Sequence, residues 1–249
     1  LKDIFFDIVK HTASIGFFDL AKINGTDKKT EIKAGDKGGD NLSVLLEAEL
    51  KSPNKGLVGE IGFGNLSVLN GITSLYNKDG ATVKVDTNED GVPSYIRFSD
   101  ADGNNDSYRL MNISLIDDAL PAEPANVKWE ITFKPSKSKI IEMGAKASVY
   151  SSIDPFFTAK TISSDDANDV IFTFGNIADT HGKMLFTGGV KKSMNESMRF
   201  PIDKFLSILK LGIGAPDTNV TVHFSQFACM ITIDNSVGTY NYVLLGHRE

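Results

Sequence analysis

The sequence predicts an α+β chain of two similar domains in tandem, each with two helices packed on antiparallel sheets. Three observations lead there. Many short β-rich runs are separated by Gly, Asn and Asp, four segments carry helical spacing, and helix and strand recur in the same order in both halves. Helical spacing covers 2–14, 65–76, 136–150 and 202–211. Strand-like runs cover 17–23, 42–50, 81–87, 95–99 and 107–111, then 156–162, 170–177, 184–190, 219–225, 230–234 and 239–245.

The halves match in detail. Leu66-Ser67-Val68-Leu69 returns as Leu206-Ser207-Ile208-Leu209, an offset of 140 residues. Thr82-Val83-Lys84-Val85 is answered by Val220-Thr221-Val222-His223, and Ser107-Tyr108-Arg109-Leu110 by Thr239-Tyr240-Asn241-Tyr242. The domains are placed at 1–111 and 127–249. Between them, 112–126 reads as an extended acidic connector, because Pro121 and Pro124 discourage regular structure.

Composition narrows the class. With 249 residues, 41% hydrophobic and 23% charged, the chain has enough material for a core without staples. Mean hydropathy is −0.11, and no apolar run approaches the roughly 18–20 residues of a membrane span. The start, with Asp3 and Asp7 inside its apolar stretch, is unlike a signal peptide. Cys229 stands alone, which excludes an internal disulfide framework and fits a reducing, cytoplasmic setting. The net charge of −6 is unevenly spread. Residues 1–124 hold 13 Lys/Arg against 20 Asp/Glu, and residues 125–249 hold 13 against 12. A local basic face on an acidic body therefore remains open.

No catalytic or metal motif survives its context test. Asp86-Thr87-Asn88-Glu89-Asp90-Gly91 opens like a calcium-binding loop, but its twelfth position is Arg97 and its flanks read as strands, so a hairpin is expected. Asp100 to Asp106 is a second acidic turn, with adventitious metal binding as the lesser reading. Gly59, Gly62 and Gly64 precede a helix without the Lys-Ser/Thr of a phosphate loop, which leaves tight strand-to-helix geometry. The histidines His11, His181, His223 and His247 have no paired ligand spacing. No Gly-x-Ser-x-Gly elbow is present, and Cys229 reads as a core residue.

The helices have divided surfaces. Ile4, Phe5, Ile8 and Val9 form one apolar stripe, and Phe205, Leu206, Ile208 and Leu209 another. Polar faces carry Lys10 on the first helix, Lys137, Lys139 and Lys146 on the third, and Lys204 and Lys210 on the fourth. Lys139 and Lys146 lie seven positions apart on a similar face, while Lys137 points elsewhere. The second helix has no positive charge before Lys78. Any one of these lysines also suits an ordinary solvated face.

On the helices 65–75 and 204–211, the proline-bearing connector and the closing strand Tyr240-Asn241-Tyr242-Val243-Leu244, the chain resembles the DNA polymerase sliding clamps. The likeness is to clamps of T-even-like bacteriophages, related in fold to the proliferating cell nuclear antigen family. It spans nearly the whole chain as an ordered pattern. It implies two clamp-type domains per chain and a homotrimeric ring that encircles duplex DNA without reading sequence. It also implies a non-enzymatic role with no cofactor, in which the ring tethers the replicative DNA polymerase after a clamp loader has placed it. The setting implied is the cytoplasm of the infected bacterial host, at the replication fork.

Under this resemblance Lys10, Lys137, Lys139, Lys146, Lys204 and Lys210 face the channel. Leu115, Ile116, Leu120, Pro121, Tyr242 and Leu244 frame a pocket for partner peptides. A connector packed on its own domain accounts equally well for those apolar residues. Edge strands 107–111 and 183–190 of neighbouring chains pair to close the ring. Two other classes stand beside this one, a duplicated β-rich virion or tail protein and an enzyme with acidic loops. Neither explains why lysines recur on paired helices.

Overall fold

Buried stripes at helical spacing set the long helices, and alternation sets the strands. The computed structural model describes residues 1–36, 44–120, 127–164, 166–214 and 217–247. It resolves into two units. Unit 1 is Leu1–Glu123 with Asn235–Tyr240, and unit 2 is Pro124–Asp234 with Asn241–Glu249.

Unit 1 begins with α1 (Lys2–Thr12), where Phe5, Ile8, Val9 and Thr12 are buried. Strands β1 (Leu20–Gly25), β2 (Thr30–Gly35), β3 (Val44–Leu50) and β4 (Gly59–Phe63) follow, with antiparallel order β4-β1-β2-β3. Helix α2 (Leu66–Leu75) starts at Asn65, whose side chain accepts from Val68 N. Then come β5 (Thr82–Thr87), β6 (Pro93–Ser99) and β7 (Asn105–Arg109), paired in that order. A short helix, α3 (Ile113–Asp117), ends the run.

Unit 2 repeats the plan. A short strand β8 (Ile131–Phe133) leads into α4 (Lys137–Tyr150), which is capped by the Ser136 side chain and buries Ile140, Met143 and Ala147. Strands β9 (Phe156–Ser164), β10 (Ala167–Gly175), β11 (His181–Val190) and β12 (Met198–Pro201) take the order β12-β9-β10-β11. Helix α5 (Ile202–Leu211) precedes β13 (Asn219–Phe224), β14 (Ala228–Asp234) and β15 (Gly238–Leu245), with β8 on the outer edge of β13. The core between α5 and the strands is phenylalanine-rich: Phe157, Phe172, Phe205 and Phe224 are fully buried. Phe157 meets Phe205 edge-on at 4.9 Å.

The four expected helices are present, and three corrections follow. The connector is not wholly extended: Ile113–Asp117 are helical, started by Asn112, whose side chain accepts from Ser114 N. The prolines that argued for extension lie downstream of it, and residues 121–126 are outside the described set. Strands β2, β4, β8 and β12 escaped the sequence reading. β2 is rich in charge, β4 in glycine, β8 has three residues and β12 ends on a proline. Finally, α2 and α5 do correspond, but one turn away from the Leu-Ser-x-Leu match. Leu66 and Ile202 are both first residues of their helices, an offset of 136, and this aligns buried Leu69 with Phe205 and Thr73 with Leu209. At 140, exposed Val68 would fall on buried Ile208.

The glycines before α2 serve packing. A Cβ on Gly62 would lie 2.5 Å from the Met111 carbonyl oxygen, and one on Gly64 2.3 Å from the Met111 sulfur. Their absence lets the chain leaving β7 cross β4 closely. The calcium-like segment is the β5–β6 hairpin. Arg97 Nε donates to Asp86 at 2.7 Å and holds that carboxyl below its usual range. Cys229 is fully buried in β14, and burial pushes its thiol well up, which suits a core residue.

Candidate nucleic-acid interface

Each unit sets two helices side by side, α1 with α2 and α4 with α5. In unit 1, Ser14 Oγ donates to Asn70 Oδ1 at 2.6 Å, and a groove of about 430 Å³ runs between the helices past Phe6, Lys10, Asn70, Ser74 and Asn77. In unit 2 the approach is close at Gly144, where a Cβ would lie 4.0 Å from Leu206 Cδ2.

The six lysines expected on the polar faces all lie on these helices, in different settings. Lys137 is exposed at the first turn of α4. Lys139 is half-buried and pairs with Glu142 at 2.7 Å. Lys146 is half-buried, with its ammonium 5.8 Å from the Tyr150 ring centroid. Lys204 is half-buried on α5. Lys10 and Lys210 are exposed in the last turns of α1 and α5, where a cation also complements the helix dipole.

Lysine content differs sharply between the pairs. α4 has three lysines against Glu142, and α5 has two against Asp203. α1 has two lysines against Asp3 and Asp7, and α2 has no charge at all. The unit 2 face is thus net basic, while the unit 1 face balances Lys2 and Lys10 against Asp3 and Asp7 and adds amides and hydroxyls.

Helices α1 and α4 correspond at an offset of 135, which aligns buried Phe5, Ile8 and Thr12 with Ile140, Met143 and Ala147. His11 therefore takes the place that Lys146 takes in unit 2. His11 is fully buried and stacks on Tyr240, centroids 3.6 Å apart and planes 7° from parallel. Asp7 accepts from the Tyr240 hydroxyl at 2.7 Å and from Asn235 Nδ2 at 3.2 Å. Burial drives the His11 pKa down to about 4 against the pull of Asp7, with Lys10 adding to the depression.

The expected peptide pocket fares differently. Ile116 is fully buried, with Gly62 left free of a side chain beneath it, and Tyr242 and Leu244 are fully buried along the inner face of β15. All three are core residues, because period-two alternation in β15 and the docked face of α3 turn them inward. Leu115 is 56% exposed and Leu120 half-buried, so these two carry what apolar surface α3 and its exit present. Pro121 lies outside the described residues. Lys22 pairs with Asp117 and holds α3 down.

The sequence reading passed over Lys191 and Lys192, which are exposed just beyond β11 beside a groove of about 440 Å³ lined by Trp129, Lys134, Gly188 and Gly189. Their signal was a lysine pair directly after a strand.

No family model matches the chain, and no curated protein does. Among solved structures it is similar to the proliferating cellular nuclear antigen of Entamoeba histolytica, with a TM-score of 0.68 and 13% identity, covering 99% of this chain and 96% of that one. At that identity the likeness is one of architecture: this chain has an α+β fold similar to that of the proliferating cellular nuclear antigen.

Proposed function

We propose that the chain is a non-enzymatic DNA polymerase sliding clamp of the T-even-like bacteriophage type. In this reading three copies close into a ring of six units around duplex DNA. The observation that carries it is the recurrence of one plan, a helix pair backed by antiparallel strands, in both units of a chain whose fold matches a clamp over 99% of its length. Two units per chain suit three copies, since heterologous contacts that close on themselves make rings.

The chemistry supports this reading. Lysines on α4 and α5, with Lys10 on α1, would meet phosphates without reading bases, and weak interchangeable contacts permit sliding. The chain's net charge of −6 would disfavour DNA on the outer surface. Edge strands β7 and β11 each end their strand order and would pair between copies. The replicative polymerase would dock a peptide tail near Leu115 and Leu120, and a clamp loader would open the ring. The place of action would be the replication fork in the cytoplasm of the infected bacterial host. A virion or tail protein is the less favoured reading, because clamp architecture runs the length of the chain.

The first measurement is mass by light scattering after size exclusion, across a dilution series. A species near three times 27.1 kDa, retained on circular but not on linear duplex after loading, is expected. A monomer at every concentration would overturn the ring.

A further inference from the structure

Unit 1 contains a filled joint that unit 2 leaves open. Just past β3, Lys51 N donates to the Val237 carbonyl at 3.0 Å. Gly238 approaches so closely that a Cβ there would lie 2.9 Å from the Glu49 carbonyl oxygen. The turn that seats there is closed by Asn235, whose side-chain oxygen accepts from Val237 N at 2.8 Å and Gly238 N at 2.9 Å. Asp7 and His11 on α1 hold the same segment through Asn235 and Tyr240.

The repeated plan identifies each counterpart. Glu31 pairs with Glu49 one residue beyond the β1–β2 hairpin, and Asn168 pairs with Val190 one residue beyond the β9–β10 hairpin. Leu50 and Lys51 thus answer to Lys191 and Lys192. The counterpart of the Asn235 turn is the turn between β6 and β7. There the Asp100 side chain accepts from Asp102 N at 3.0 Å and Asn104 N at 2.9 Å, as Asn235 does in its own turn. Asn104 then answers to Gly238 and Asp106 to Tyr240, two residues away from the Tyr108–Tyr240 match read along the sequence, while Lys146 answers to His11.

The charges at these counterparts are complementary. Lys78 engages Asp100 at 2.7 Å and reaches one Asp102 oxygen at 3.3 Å, yet the Asp102 side chain is 77% exposed, and Asp106 is exposed with the Tyr76 hydroxyl on one oxygen. The receiving end carries Lys146, Lys191, Lys192 and Lys134. Of the acids nearby, Glu142 pairs with Lys139, Glu130 accepts from Asn195, and an Asp169 oxygen lies beside Gly188.

We infer that the acidic β6–β7 turn of one copy seats at the end of β11 in a second copy. Asp106 then faces Lys146, and Asp102 faces Lys191 and Lys192. An ion pair thus stands where unit 1 stacks His11 on Tyr240, and Lys146 is placed at the joint between copies. An acidic edge meeting a basic one also permits only head-to-tail assembly. This inference rests on the ring reading and adds the residues that close it.

The test is the dilution series on full-length chains, with far-UV circular dichroism as the check on folding. Lys146→Glu is expected to raise the half-dissociation concentration at least about tenfold, and adding Asp106→Lys to restore it to within about threefold. Because Asp106 also holds Tyr76, Lys191→Glu with Asp102→Lys is an independent swap. A wild-type trimer unmoved by Lys146→Glu and Lys191→Glu, or weakened by them without recovery in either swap, would overturn this joint and leave the ring standing. A wild-type monomer throughout would remove the ring itself.

Discussion

The helix pairs of the two units share their buried faces and differ on the other. Phe5 and Ile140, Ile8 and Met143, Leu69 and Phe205 occupy matching buried positions. Outside, α4 and α5 carry five lysines against two acids, whereas α1 carries two against two and α2 none. A buried stripe is constrained by packing, because removing a methylene leaves a cavity. An exposed position changes at a cost within about 0.5 kcal/mol, so one unit can gather charge while both keep their shape.

The largest expected effect tests the shared face. Phe205→Ala should cost about 3–5 kcal/mol and Leu69→Ala about 2–5 kcal/mol in urea unfolding followed by circular dichroism. Val68→Ala should stay within about 0.5 kcal/mol. A large loss of stability at Val68 would restore the 140-residue alignment and break the correspondence between α2 and α5.

His11 tests the place where the units diverge most. The unfolded chain takes up a proton near pH 6.5, while the folded chain refuses it until about pH 4. Stability from this group is therefore present above pH 6.5 and is lost as pH falls through that window, by at most about 3 kcal/mol. His11→Phe, which keeps a ring against Tyr240, should flatten the wild-type decline over pH 6.5–4. Lys146→Phe should not flatten it. Equal slopes in wild type and His11→Phe would remove His11 as the cause.

The smallest effects sharpen the charge difference. Replacing Lys137, Lys139, Lys204 and Lys210 by Gln should lower the slope of log affinity against log salt by about 0.9 for each phosphate that is no longer neutralised. The same change at Lys2 and Lys10 should move that slope less, as measured by fluorescence titration of loaded rings. Equal changes from both sets would mean that the two units meet DNA alike.

Much of this was legible along the chain. Ile202–Leu211 was bounded correctly from its apolar stripe, and β15 to within one residue from its alternation, because local periodicity records which face is buried. The four missed strands are held by their ladder partners rather than by their own pattern: β2 lies between β1 and β3, while β4, β8 and β12 are edge strands with one neighbour each. β12, for example, pairs with β9 from Met198 to Pro201 despite its proline. The lysines could be placed on helices because charge at helical spacing is local information. That Ile116, Tyr242 and Leu244 are core residues was not legible, because their burial depends on what packs over them.

The sequence by itself determined the fold class, the positions of the four long helices and the uneven charge of its halves, since composition and spacing act over a few residues. Only the tertiary structure decided that Asn235–Tyr240 joins the first unit, that His11 is buried where Lys146 is not, and that one acidic turn has a basic counterpart at the end of β11. Those facts rest on contacts between residues far apart in the chain, as between Asp7 and Tyr240, and no local pattern encodes such partners.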